Sequence, residues 1–238
     1  MALLARARNN NAGQAANATL RFKVTLALGD RAAFIRANTR LLSPPHCPEI
    51  QLHLADDAVA LWELTEEDLG ELGLPPPFWA FAWAGGQALA RYILDNPAVV
   101  RGKSVLDVAS GSGLVAIAAM KAGATRALAI DLDPFAAEAT LINAAANSVT
   151  IETRTADALA APPAEDVILV GDLFYDRDIA TALLDWLKAA PGAALIGDPG
   201  RTYLPKDALS KVAEYAIPVS RALEDAEVKR TGVWRLKP

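Results

Sequence analysis

Residues Lys103 to Leu114 read KSVLDVASGSGL. Ser104 to Val108 has the length and composition of a buried strand, and it runs through a glycine turn into an alanine-rich helix from Leu114 to Ala122. Gly111 and Gly113 lack a Cβ, so the backbone can turn sharply there and approach a ligand, while the N–H groups opening the helix face the same crevice. Asp107 stands at the strand's C-terminal end, beside those N–H groups. A carboxylate at that point repels a diphosphate and suits a ligand with hydroxyls and a cationic amine. S-adenosylmethionine is such a ligand. Gly111-x-Gly113-x-x-Ala116 also fits the permissive dinucleotide fingerprint, so a nicotinamide-dinucleotide oxidoreductase is a competing reading of the turn alone.

Beyond Leu114, strands and helices alternate. The pattern predicts strands over 126–130, 149–154, 166–170 and 193–197, helices over 134–147, 178–190 and 206–215, and a closing hairpin of 217–221 with 227–236. That order implies an α/β fold: a Rossmann-like, seven-stranded, mostly parallel sheet with helices on both faces and an antiparallel C-terminal edge hairpin. Ligands of such a sheet bind outside the carboxyl ends of its strands. Asp107, Asp131, Asp157 and Asp172 each end or follow a strand, so four aspartates gather on one rim. Asp131 lies where an acid accepts both ribose hydroxyls of a nucleoside. Asp157 suits an adenine amino group, and Asp107 is placed to orient the loop and meet the ligand's ammonium. Asp172, with Tyr175 in Asp172-Leu173-Phe174-Tyr175, falls on the side left for an acceptor, although the tyrosine's ring equally suits packing on the sheet.

Upstream, Asp30 to Leu42 has helical spacing, Ile50 to Leu54 alternates as a strand with Val59 to Trp62 as a hairpin partner, and Thr65 opens an acidic helix that stops near Gly73. Pro75-Pro76-Pro77 marks a boundary. The expected organisation is a disordered tail over 1–29, an accessory or lid extension over 30–77, and the ligand-binding domain over 78–238. In the aromatic run that follows the prolines, Trp79 and Phe81 suit core packing, whereas Trp83, beside Gly85 and Gly86, is placed to line the ligand's methionine end. The tail holds Arg6, Arg8, Arg21 and Lys23 before the first acid, Asp30, yet no serine, which departs from a transit peptide.

Composition narrows the partners. Of 238 residues 53% are hydrophobic, and 23 Lys plus Arg face 28 Asp plus Glu for a net charge of −5, so no broad nucleic-acid-binding face is expected. No apolar run approaches a membrane span. The single cysteine, Cys47, excludes an internal disulfide, and His46 with Cys47 lacks zinc-site spacing, so no metal is expected.

The segment Pro77-Phe78-Trp79-Ala80-Phe81-Ala82-Trp83-Ala84-Gly85-Gly86, with Gly171-Asp172-Leu173-Phe174-Tyr175-Asp176 and Gly197-Asp198-Pro199-Gly200-Arg201, resembles the electron transfer flavoprotein β-subunit lysine methyltransferase family in its bacterial form. That family lies within the seven-strand S-adenosylmethionine-dependent methyltransferases with a D-x-x-Y motif after the fourth strand. The resemblance covers roughly Phe78 to the C-terminus. It implies methyl transfer from S-adenosylmethionine, leaving S-adenosylhomocysteine, to lysines of the electron transfer flavoprotein β subunit. It also implies a cytoplasmic location in a bacterium, or the mitochondrial matrix in a eukaryote. Asp172 is then expected to receive and orient the acceptor ammonium, with Tyr175 shaping its channel. A nicotinamide-like small-molecule acceptor uses the same pocket and is the alternative.

Overall fold

A computed structural model describes residues 30–55, 76–219 and 227–237. The chain enters through α1 (Arg31–Asn38), then β1 (Arg40–Leu42) and β2 (Leu52–Leu54), which pair antiparallel. Asp30 caps α1 by accepting the Ala33 N–H at 2.9 Å. The helix stops short of the expected Leu42. The Thr39 hydroxyl turns back onto the Ile35 carbonyl at 2.5 Å and Thr39 itself is extended, which frees Arg40 to Leu42 to pair with β2. The other proposed partner of β2, at 59–62, and the acidic helix at 65–73 lie outside the described residues, as does the 1–29 tail.

The main body follows with α2 (Ala84–Asp95), β3 (Ser104–Val108), α3 (Leu114–Lys121), β4 (Arg126–Asp131), α4 (Pro134–Ala146), β5 (Glu152–Thr155), β6 (Val167–Gly171), α5 (Arg177–Ala189), β7 (Ala193–Asp198), β8 (Leu209–Pro218) and β9 (Val228–Leu236). The seven strands from β3 onward form one sheet in the order β5-β4-β3-β6-β7-β9-β8, with β3 to β7 parallel and the β8–β9 hairpin antiparallel at one edge. This is the expected α/β architecture. Strand order reverses between β3 and its neighbours β4 and β6, which opens the crevice there.

Alternation along the strands builds the two core layers. Val105, Leu169 and Leu195 meet Leu89, Ile93 and Ile117 of α2 and α3, while Leu106, Ile168 and Ile196 meet Leu183 and Leu187 of α5. The N-terminal segment is fastened to this body. Asn147 accepts the Gln51 N–H at 3.0 Å and donates to the Gln51 carbonyl at 2.6 Å, and Asn143 accepts the His53 N–H at 2.7 Å. Trp79 and Phe81 are buried with Ile35, Phe135 and Ile142 in a third apolar cluster.

One element differs outright from the pattern-based expectation. Residues 206–215 were expected to be helical, but after a single turn over Lys206–Ala208 the chain runs as β8 to Pro218. The register against β9 slips between Lys211 and Ala213, a bulge at Val212. Leu209 faces the α5 layer, whereas Ala213, Tyr215 and Ile217 face the α2 layer. The bulge reverses the phase mid-strand and hides the period of two, leaving helix-forming Ala, Glu and Lys as the dominant signal.

The start of α2 sits directly on the ends of β6 and β7. A Cβ added at Gly85 would collide with the Gly197 carbonyl and one at Gly197 with the Gly85 carbonyl, and a Cβ at Gly171 would lie 3.2 Å from the Gly86 Cα. Gly197→Ala is therefore expected to destabilise the protein by about 3 kcal/mol, read as a lower midpoint in urea denaturation; an unchanged midpoint would refute this contact.

Candidate active site

The strand β3 delivers Asp107 to the glycine turn. Its carboxylate is 2% exposed and its Oδ2 accepts the Ala116 N–H at 2.9 Å, in the first turn of α3. Asp107 therefore holds the turn against the helix through one oxygen. The turn itself needs left-handed backbone: Ala109, Gly111 and Gly113 have φ of 51°, 51° and 77°. A Cβ at Gly113 would lie 2.8 Å from Thr140, so glycine also lets α3 and α4 close on each other. The Ser110 hydroxyl is buried beside the turn with no partner.

Asp131 ends β4 facing the same turn. Its Oδ2 accepts the Gly111 N–H at 2.9 Å and its Oδ1 the Asp133 N–H at 3.0 Å. Each oxygen keeps a further lone pair for a hydroxyl donor. Next to it Leu132 is 71% exposed, an apolar surface on the rim that the sequence reading passed over. Asp157 follows β5 on the surface, where its Oδ1 caps the turn Ala158–Ala160 through the Leu159 N–H at 2.9 Å. The preceding residue is tied to Asp131 by an Ala156 N–H to Asp131 carbonyl bond of 2.9 Å. On the opposite side the backbone of Phe78 and Trp79 lies against Gly111. Trp83, at the N-cap of α2, donates its indole N–H to the Phe78 carbonyl at 3.0 Å and lies edge-on to Phe78 and Phe81. It thus fixes the segment that borders the turn, and its other surroundings are an apolar cavity of about 280 Å³ shared with Leu54, Phe81, Gln87 and Val219. None of the rim aspartates lines that cavity.

Asp172 stands at the end of β6, beside the start of α2. Asp172 leaves β6 with φ 57° and is 9% exposed. Its Oδ2 accepts the N–H groups of Gly85 and Gly86, the latter at 3.1 Å, and its Oδ1 accepts Arg201 Nη2 at 2.9 Å and Nε at 3.3 Å. Both oxygens are engaged by the protein's own donors, a bracing contact that joins the end of β6 to the start of α2 and to Arg201. Tyr175, three residues on, is 51% exposed on the rim, and Phe174 between them is buried. Asp198 and Arg201 were given no separate role from sequence. The signal was present in Asp198-Pro199-Gly200, a dipolar turn former before a proline and a glycine.

A family profile described as ribosomal protein L11 methyltransferase (PrmA) matches residues 87–171. The electron transfer flavoprotein beta subunit lysine methyltransferase of Homo sapiens is 40% identical over 217 residues, covering 87% of this chain and 82% of the human protein. The protein of the same name from Xenopus laevis is 37% identical, covering 87% of each chain. Among solved structures, that of Thermoplasma acidophilum 1320 superposes with a TM-score of 0.52 at 18% identity, covering 63% of this chain and 89% of that one, a likeness of fold.

Burial dominates the rim's electrostatics. It pushes Asp107 up to about 8 against the Ala116 N–H, and Asp133 up to about 6. Asp131 and Asp172 rise for the same reason, Asp172 despite the Arg201 guanidinium. Tyr175 is raised by burial and then by the carboxylates of Asp176 and Asp131, which puts it within electrostatic reach of the end of β4. A carboxyl whose folded value stands above its free value binds a proton on folding. The stability this gives is complete below the free value and is lost as pH climbs through the folded one. The ligand-free protein is thus expected to melt at a lower temperature at about pH 8 than at about pH 5. Asp107→Asn, which keeps an oxygen for Ala116, should flatten that slope in thermal scans across pH; an equal slope in the variant would show that Asp107 titrates normally.

Proposed function

The chain belongs to the electron transfer flavoprotein β-subunit lysine methyltransferase family, and on that premise we propose that it methylates lysine side chains of an electron transfer flavoprotein β subunit with S-adenosylmethionine. The observation that carries this reading is the relationship along most of both chains, together with a rim that fits the cofactor. The fit rests on the donor set. The glycine turn leaves backbone room, the Ser110 hydroxyl is buried without a partner, and Asp131 retains acceptor capacity on both oxygens. Asp131 and Ser110 would hold the nucleoside, Asp157 would take the adenine amino group, Leu132 would supply an apolar wall, and Trp83 would fix the segment bordering the turn.

S-adenosylmethionine supplies the methyl group on a sulfonium, which an unprotonated amine can attack, with S-adenosylhomocysteine as the product. What this chain adds is alignment and dryness. An acceptor lysine arrives protonated at neutral pH. The acidic rim of Asp131, Asp157 and Asp176 draws it in, and its proton passes to water. Tyr175 keeps its own proton, because burial and the nearby carboxylates hold its hydroxyl above the ordinary range, so it can only steer the amine by hydrogen bonding and by its ring. Asp172 serves the acceptor side by holding the first turn of α2 in place. Among the described residues no helix is long and apolar enough to cross a membrane, and the proposal puts the enzyme in the bacterial cytoplasm or, from a eukaryote, the mitochondrial matrix.

The test mixes purified protein, S-adenosylmethionine and the recombinant β subunit and follows intact mass. The β subunit should gain mass in single-methyl steps, and nicotinamide added in excess should neither gain a methyl group nor compete. Tyr175→Ala should lower kcat/KM for the β subunit about tenfold with an unchanged Kd for S-adenosylhomocysteine by calorimetry. Failure of the wild type to methylate the β subunit while S-adenosylhomocysteine binds would overturn the substrate assignment.

A further inference from the structure

We propose that Asp198 and Arg201 are positioning residues for methyl transfer, forming with Asp172 a side-chain relay from the end of β7 to the first turn of α2. Asp198 Oδ1 accepts the Gly200 N–H at 2.6 Å and the Arg201 N–H at 2.7 Å. Gly200 takes φ 90°, which the turn requires. The turn carries the Arg201 side chain back across the strand ends, where its fork meets Asp172 Oδ1 through Nη2 and Nε. Asp172 Oδ2 in turn holds Gly85 and Gly86, the residues directly after Trp83 and Ala84. The strand register supports the same path: Gly171 and Gly197 are paired, so Asp172 and Asp198 leave neighbouring strands side by side.

Asp198 carries a cost to stability. It is fully buried and its Oδ2 has no partner. A buried carboxylate oxygen left unpaired costs the folded state free energy. Burial accordingly raises the group to about 6, helped by the neighbouring Asp172. An asparagine would supply the same Oδ1 without the buried charge. The use of Asp198 is therefore the turn it builds and the guanidinium that turn delivers. Asp107, Asp131 and the glycine turn stand on β3, β4 and α3, outside the relay, so the relay governs the acceptor side and the start of α2 rather than cofactor affinity.

The kinetic part of the test rests on the proposed function, so it is joined to a measurement that needs no substrate. Asp198→Ala and Arg201→Gln are each expected to lower kcat on the β subunit about tenfold or more. Their Kd for S-adenosylhomocysteine should stay within about threefold of wild type. The double variant should be no slower than the worse single one, because both changes break one path. Asp198→Asn should recover most of the rate and melt no lower than wild type at neutral pH. In the same samples, amide exchange of the peptide holding Gly85 and Gly86 should speed up about fivefold in Asp198→Ala and Arg201→Gln, and return towards wild type in Asp198→Asn. Unchanged exchange in both variants overturns the relay whatever the acceptor is. Additive rate losses, a parallel collapse of S-adenosylhomocysteine affinity, or an Asp198→Asn variant as slow as Asp198→Ala would overturn it too. If Asp198→Ala does not fold, Arg201→Gln, on a partly exposed side chain, decides alone through its rate and its exchange. A wild type inactive on the β subunit counts against the substrate assignment only, since the exchange result stands without it.

Discussion

The first turn of α2 rests on the ends of β6 and β7 with backbone against backbone, and a single carboxylate, Asp172, closes that contact. Three glycines on three elements permit it: Gly85 on the helix, Gly171 and Gly197 on the strands. A helix start brought that close presents N–H groups with nothing to bond, and an anion at that place is the physical answer. Asp172 supplies it from a left-handed backbone position that few side chains adopt. The aromatic segment before α2, the D-x-x-Y loop after β6 and the Gly-Asp-Pro-Gly-Arg turn after β7 are all fixed with respect to one another through this one group. Backbone bonds reinforce the arrangement, the Asp172 N–H donating to the Gly197 carbonyl at 3.0 Å and the Tyr203 N–H to the Phe174 carbonyl at 3.2 Å.

The rim aspartates divide by what is left of their lone pairs once the fold is satisfied. The fold takes both oxygens of Asp172, through the start of α2 and a guanidinium, and Oδ2 of Asp107, through the start of α3. Asp131 accepts one N–H on each oxygen and Asp157 one N–H in all, and both sit nearer the surface, which leaves acceptor capacity facing outward. A shared position at strand ends therefore conceals two tasks. Acids that build the cleft must lie within it and lose solvation; acids that read a ligand must keep some. Burial raises Asp107, Asp131 and Asp172 alike, so Asp131 bears part of the cost of the first task while keeping acceptor capacity for the second.

Most of the fold was legible because alternating strands and helices impose their own periods, and because ligand crevices in such sheets lie at carboxyl ends. Position along a strand located the aspartates. What the sequence could not convey was which way each carboxylate turns, since that depends on backbone from remote elements: Gly85 and Gly86 reach Asp172 from far upstream, and Arg201 from downstream. The bulge at Val212 was illegible for a different reason. A phase reversal inside a strand erases the regularity by which strands are recognised, and the residues left behind favour a helix on propensity alone. Trp83 shows a third limit. Its place beside the glycines was readable, but its indole N–H is taken by Phe78, a partner only the folded turn brings near.

The amide side chains of Asn143 and Asn147 do more than attach the N-terminal segment. β2 is a short strand with one side given to β1, and its other side would otherwise present unpaired backbone groups at Gln51 and His53. Such a side is a template on which a strand from another molecule can assemble. Among the described residues, two side chains at the C-terminal end of α4 occupy the backbone groups that such a template would need, so this edge is closed by a helix of the main body.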